Sequence, residues 1–406
     1  MTACPHLNLA SPDTYTSGVP FSEFAALRRE QPISWQVDPD NGVGYWAITK
    51  REHLDFISKS PEIFSSAVRS CFYAERDEAQ LVMMRNLLIN MDPPDHVKYR
   101  RIVRNAFTPK VVDSYEQRFR EIAKGIIDRV ITKGSCEFVA EVAAELPLIA
   151  ICELMGIPLE DRHAFFEWTN TMIGSDDPEL AVSREESMAA HFNVFQYGRK
   201  LAELHRQSPR NDIVGTLLDG TVQDEHLTDL EFCNFFLLLI VAGNETTRTV
   251  TTHGMRLLLE NPEQYRKLQA NPALVETAVE EFLRYHPAVI QFRRTALRDV
   301  ELDGVTIKAG DKVVMFYPSV NRDEDVFAQP DIFDIERTDI KNEHRAFGVG
   351  EHFCLGSHLA RLELRVIFDE IVARIHNPRL DGEVRWMRSN LISGVKSMPI
   401  AFQASS

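Results

Sequence analysis

The stretch AFGVGEHFCLGSHLARLE, residues 346–363, decides how this chain is read. Within it a single cysteine, Cys354, follows His352 and Phe353 and is bracketed by Gly348, Gly350 and Gly356. A lone cysteine is most often a small buried hydrophobe. Here the surroundings point elsewhere. The glycines let backbone approach a flat object closely. Phe347 and Phe353 would keep water from the sulfur. The next residues, LGSHLARLELRVIFDEIVARI, read as an amphipathic helix whose N-terminus favours a thiolate. A zinc site built from His344, His352, Cys354 and His358 competes with this reading. Structural zinc, however, wants closely spaced Cys/His pairs on short loops, and only one thiol is present. A single thiolate suits haem iron instead.

Working outward, the residues before the loop, SVNRDEDVFAQPDIFDIERTDIKNEH, form a long polar stretch with little periodicity. Segments of this kind inside a compact chain usually serve a function. Before them, VELDGVTIKAGDKVVMFYP (300–318) alternates around Asp-Gly and Ala-Gly turns and reads as strands. Helical patterns dominate from about residue 96 to 286. One starts at Thr228, where Thr228 and Glu231 have capping-box spacing, and stops at Asn261-Pro262. At about 33 residues it would be near 50 Å long. Its middle, FFLLLIVAG (235–243), should therefore be buried on all sides. Near the N-terminus FSEFAALRRE reads as helix, and PISWQV and GYWAITK as a hairpin around DPDNG.

Composition sets bounds on function. The chain has 406 residues, 44% hydrophobic and 26% charged, with a net charge of −15. Length alone suggests two or more domains. The acidic balance argues against nucleic acid or anionic membrane as a partner. Six scattered cysteines suit a reducing compartment. The N-terminus lacks a basic start with an apolar run, and the longest apolar run falls far short of the roughly 20 residues that span a bilayer. A cytoplasmic protein is expected.

Three further motifs complete the picture. AGNETT (242–247) places Glu245 and Thr246 inside the apolar middle of the long helix, where an unpaired carboxylate is costly. Gly243 interrupts that helix, which would be explained by a kink or a water-filled bulge. EEFLRYHP sets Glu281 and Arg284 three apart on one helix face. DPPDHVKYRR sets His96 and Arg100 four apart.

The pattern Phe347-x-x-Gly350-x-His352-x-Cys354-x-Gly356 resembles the haem loop of the cytochrome P-450 superfamily, and the three other motifs stand in that family's order. The resemblance implies one mainly α domain over residues 1–406, a helical prism with a small β-rich portion. It implies haem b, with Cys354 as iron ligand and Ala242, Gly243, Phe347 and Gly348 against the ring. His96, Arg100, Arg294 and His352 match positions that bind haem propionates. Glu245 and Thr246 match the residues that relay protons toward dioxygen. Glu281 and Arg284 match a buried network closed by Arg337.

The activity implied is monooxygenation, the insertion of one oxygen atom of O2 into a C–H bond. Electrons would come from NAD(P)H through an external ferredoxin and its reductase, since nothing reads GxGxxG. The basic run Lys98, Arg101, Arg104 and Lys110 is a candidate docking patch. A monomer is expected. AFTPKVV, ELMGIPLEDRHAFFEWTNTMIGSDDPE, AGNETTR and RSNLISGVKSMPI resemble the group that holds linalool, steroid side-chain and methyl-branched-lipid hydroxylases. A terpenoid or lipid chain end is the substrate this implies, with a steroid side chain as the next choice. Leu238, Val241, Ala242, Ile290, Phe292, Leu391 and Ile392 are the candidate apolar lining. Two other classes stay open: a haem-thiolate enzyme that uses peroxide directly, and a non-catalytic haem protein that binds a ligand. The intact Glu245-Thr246 pair speaks against both.

Overall fold

One helix, Asp229–Glu260, sets the architecture. The protein is seen in a computed structural model that describes residues 7–180, 183–209, 212–222, 225–338 and 340–404; Cys4 lies outside them. The long helix begins where the sequence predicts, with Thr228 and Glu231 closing a capping box. It ends at Asn261, whose successor Pro262 opens the next helix. Phe232, Phe235, Phe236, Leu237 and Ile240 bury its first half. The second half is buried too, although it is polar: Thr247, Arg248, Thr249, Thr251, Thr252 and His253 are all shielded.

The helix hydrogen-bond ladder runs unbroken through Gly243, so the expected bulge does not form there. Ile151 packs here instead, 3.4 Å from where a Cβ on Gly243 would sit. The threonines are accommodated by back-bonding to the preceding turn: Thr246 Oγ1 donates to the Ala242 carbonyl at 2.8 Å and Thr251 Oγ1 to that of Thr247 at 2.9 Å.

Helices Glu145–Leu154, Arg162–Ile173, Arg184–Gln207, Val275–Tyr285 and Ser357–Arg374 all pack on this axis. The last two approach it closely at Gly254. A Cβ there would lie 2.6 Å from Phe368 Cζ and 2.8 Å from Phe282 Cδ2, so no larger residue fits without displacement. Close approach at this glycine brings the Glu281 helix and the helix after Cys354 onto the central one.

The β portion is small. Its main sheet orders Ile33–Val37, Gly44–Ile48, Lys312–Phe316, Gln291–Ala296 and Phe64–Ser65. The N-terminal hairpin pairs Ile33 with Ile48 in antiparallel register, as its alternation predicts. Val313 stands opposite Arg294, which fixes that arginine in a central strand. Residues 321–338 and 340–344, between strands and cysteine loop, are irregular as expected. None of the described helices is long and apolar enough to cross a membrane.

Candidate functional site

The cysteine loop is held from below by the short helix Arg51–Lys59. Gly350 adopts φ +76°, and a Cβ on it would sit 2.6 Å from the Ser58 carbonyl oxygen. That close approach is to protein backbone, not to a flat ligand. Arg345 adds a two-pronged ion pair to Asp55, 2.6 and 2.8 Å. Inside the loop the Cys354 N–H donates to the Phe347 carbonyl at 2.8 Å. Burial pushes the Cys354 thiol up, while the Gly356 N–H and the guanidiniums of Arg100 and Arg361 favour the thiolate. The other described cysteines are buried; burial, the largest cause, takes the thiols of Cys71 and Cys152 up to about 12, the inert state of a packed residue.

Four more predicted residues meet beside this loop. The rings of His96 and His352 stand 4.3 Å apart. Arg100 donates to the Phe353 carbonyl. Arg294 is buried on its strand and spends Nη1 on the Arg293 carbonyl at 2.8 Å. The nearby carboxylate, Asp92, is taken up by Ser65 Oγ and the Ser66 N–H at 2.7 Å. Two guanidiniums and two imidazoles therefore converge, and among the described residues no carboxylate forms an ion pair with Arg100 or Arg294, although Glu351 and Asp92 lie near enough to act on the cluster. Burial and the neighbouring guanidiniums hold the His96 imidazole down to about 4 and that of His352 to about 2. His96 is fully buried, yet neither ring nitrogen has a partner. Buried polar atoms normally find one. This donor set fits an apolar group carrying carboxylates, which is what haem propionates are.

The zinc alternative fails on geometry. His344 has both nitrogens engaged: Nε2 with Glu280 at 2.9 Å and Nδ1 with the Ala346 N–H at 3.2 Å. His358 is exposed.

The Glu281 network closes as expected. Arg284 grips Glu281 with two bonds of 2.7 Å, and both side chains are fully buried. Arg337 Nε lies 3.5 Å from Glu281 Oε2. Arg284 Nη1 also holds the Asn321 and Pro330 carbonyls, at 3.0 and 2.9 Å, and Glu281 accepts from the Asp334 N–H at 3.0 Å. The irregular segment is thereby anchored to the helix core.

Glu245 is buried and forms an ion pair with Arg248, whose Nη1 donates to Asn170 Oδ1 at 2.9 Å. Arg248 and Asn170 were not singled out from sequence; the spacing of three between Glu245 and Arg248 is the signal that could have found them.

The apolar lining divides. Phe292 and Leu391 keep partial exposure, and an isolated bridge joins Val289 to Ile392. Leu238, Val241 and Ala242 also keep exposure on the long helix. Ile290 does not belong to the lining. It is fully buried with Tyr45, Val314 and Phe316 on the other side of the sheet. The reason is local: the Ile290 N–H donates to the Leu391 carbonyl and its own carbonyl accepts from Tyr317 N–H, which turns the side chain into the core. Val289, partly exposed, packs against the same cluster as Phe292. Phe72 was also missed; its ring meets Phe292 edge-on at 6.2 Å.

Comparison with known proteins accords with this geometry. The sequence profile of the family described as Cytochrome P450 matches residues 165–376. The steroid C26-monooxygenase of Rhodococcus jostii is 38% identical over 98% of this chain and 85% of its own. The methyl-branched lipid omega-hydroxylase of Mycobacterium tuberculosis is 39% identical over 93% of this chain and 90% of its own. The linalool 8-monooxygenase of Pseudomonas putida is 35% identical over 97% of this chain and 98% of its own. A solved structure, a Mycobacterium marinum cytochrome P450 in complex with pseudoionone, superimposes with a TM-score of 0.89 at 34% identity, covering 99% of this chain and all of that one. With identity of 35–39% sustained along more than nine-tenths of the sequence, and a fold shared from end to end, this chain belongs to the cytochrome P450 family.

Proposed function

We propose that this monooxygenase, a haem-thiolate protein by its family, hydroxylates the terminal methyl of a branched, isoprenoid-like chain: an acyclic terpenoid, a related ketone or a methyl-branched lipid. A steroid side chain is the second reading. It is favoured by the Rhodococcus relative, which covers 98% of this chain. In the site we assign, Cys354 ligates the iron. His96, Arg100, Arg294 and His352 hold the propionates. The carrying observation is the convergence of those four donors beside Cys354, with His96 left unpartnered.

Bound there, haem supplies the activation of dioxygen. The chain's own residues do the rest. Thr246 Oγ1, held by the Ala242 carbonyl, presents a hydroxyl on the long helix. Glu245 supplies protons to it once its ion pair with Arg248 parts, so Arg248 and Asn170 act as a latch on that carboxylate. General acid delivery depends on such positioned groups. Val289, Phe292, Leu391 and Phe72 offer apolar surface, where an ionic substrate would lose solvation without gaining a partner. A chain end directed at the iron would be attacked for its position rather than for its reactivity.

Electrons reach the site from NAD(P)H through a ferredoxin and its reductase. The basic face of the helix Asp95–Arg104 is the docking surface, and the whole chain acts as one monomeric unit in the cytoplasm. The test is a panel of acyclic terpenoids, branched fatty acids, sterols and small aromatics, turned over by the reconstituted enzyme with products located by NMR. Terminal alcohols from the branched chains support the reading. Exclusive oxidation of aromatic or polycyclic rings overturns it.

A further inference from the structure

Next to the Glu281–Arg284 pair stands a second carboxylate that the site described so far does not use. Glu280, on the same helix, is 6% exposed. It takes partners from two other elements. Arg361, on the helix after the cysteine, donates Nε to Oε1 at 2.6 Å and Nη2 to Oε2 at 3.0 Å. His344, at the entry to the cysteine loop, bonds Oε2 through Nε2 at 2.9 Å. Because His344 Nδ1 accepts from the Ala346 N–H, its proton sits on Nε2 and the ring is neutral. The cluster thus holds one full negative charge and one full positive charge. Burial pushes the Glu280 carboxyl up, but the bonds from His344 and Arg361 outweigh this and hold it down to about 2.

Both partners touch the cysteine loop. The Arg361 guanidinium lies over the Phe347 ring, 4.6 Å from its centroid, and His344 meets the same ring at 6.0 Å. Phe347 in turn accepts the Cys354 N–H. Arg361 is also one of two guanidiniums whose field reaches the Cys354 sulfur.

We propose that Glu280 is a positioning residue for the thiolate: it neutralises Arg361 beside the sulfur and fixes the loop through His344, and so sets the ferric/ferrous midpoint potential of iron held by Cys354. This rests on the reading of Cys354 as the iron ligand. Removing the charge of Glu280 leaves Arg361 uncompensated over the Phe347 ring, from where its field reaches the sulfur. Added positive potential favours the state with one more electron, so the midpoint rises. Removing Arg361 leaves Glu280 uncompensated, and the midpoint falls. Loosening of the loop alone would not give opposite signs.

The experiment uses the haem-loaded protein, wild type against Glu280→Gln, Glu280→Asp, Arg361→Gln and the double variant E280Q/R361Q. Each is read by the carbon monoxide spectrum after reduction and by spectroelectrochemical titration. The wild-type spectrum checks the ligand itself, separately from the proposal: without the red-shifted thiolate band the Cys354 reading is at fault, and Glu280 has no thiolate to position. With the band present, E280Q should shift the midpoint positive and R361Q negative. The double variant should return toward wild type, and E280D should stay near it. Unchanged midpoints in both single variants, or shifts of the same sign, overturn the proposal. If E280Q takes up no haem, R361Q decides alone: a negative shift sustains the proposal, and no shift or a positive one ends it.

Discussion

Thr246 sits one turn after Ala242 and spends its hydroxyl proton on that carbonyl, which leaves the oxygen's lone pairs free to receive a proton from elsewhere. Replacing it with alanine removes the relay without touching the packing of its buried neighbours. Thr246→Ala should therefore still consume NADH in a reconstituted system but release hydrogen peroxide in place of product. Coupled product formation at wild-type yield would remove Thr246 from the relay. At this scale much was legible, because motif residues keep characteristic neighbours: His96, Arg100, Arg294, His352 and Cys354 stand near one another, and their assignment to a cofactor is the reading proposed above. Residues placed by tertiary contact were not legible. Glu280 meets His344 and Arg361, 64 and 81 positions away, and nothing in its own neighbourhood signals either. Ile290 was not legible because it precedes the strand Gln291–Ala296, so the alternation that sets Phe292 does not carry over to it, and its backbone bonds to Leu391 and Tyr317 decide its direction.

Between elements, two contacts weld the helix after Cys354 to the long helix. Gly254 is the first. Gly254→Ala drives a methyl into Phe368 and Phe282, and overpacking of this kind costs about 1–3 kcal/mol. A lowered unfolding midpoint, with the haem spectrum retained, is the expected result. The second is Glu363, 2% exposed, whose carboxyl bonds Thr247 and keeps one oxygen without a partner. Burial pushes this carboxyl up to about 8. The folded state thus holds a proton that the unfolded chain releases near 4.5. The stability this contributes is complete below about 4.5 and is lost as pH rises through 8. Glu363→Gln cannot ionise, so its stability relative to wild type should grow over that window by on the order of a few kcal/mol. A constant difference across the window would contradict the assignment. Capping-box and Asn-Pro signals made the long helix readable end to end. The bulge expected at Gly243 does not form, and a physical reason is at hand: a glycine can serve side-chain packing, here against Ile151, as well as backbone distortion.

For the whole molecule, an acidic chain of net charge −15 carries a basic recess of about 300 Å³ lined by Val97, Arg100, Arg101, Arg104, Gly350 and Glu351. Lys98 is offset by Asp95 at 2.8 Å, whereas Arg101 and Arg104 are exposed and have no carboxylate partner among the described residues. Neutralising both should raise the ferredoxin concentration needed for half-maximal turnover. The wild-type advantage should shrink as added salt shortens the screening length, about 8 Å at physiological ionic strength. Identical salt curves for the two proteins would take these arginines out of the interface. Fold class and chemistry were legible at this scale because a haem-thiolate loop leaves a long signature; the substrate was not, since a methylene of pocket size is worth only about 1–3 kcal/mol and leaves no motif. The direct measurement is the carbon monoxide spectrum of the reduced, haem-loaded protein, wild type against Cys354→Ser. With Cys354 as the iron ligand, the wild type shows a strongly red-shifted Soret band and the variant loses it. The same red-shifted band in both would contradict that assignment.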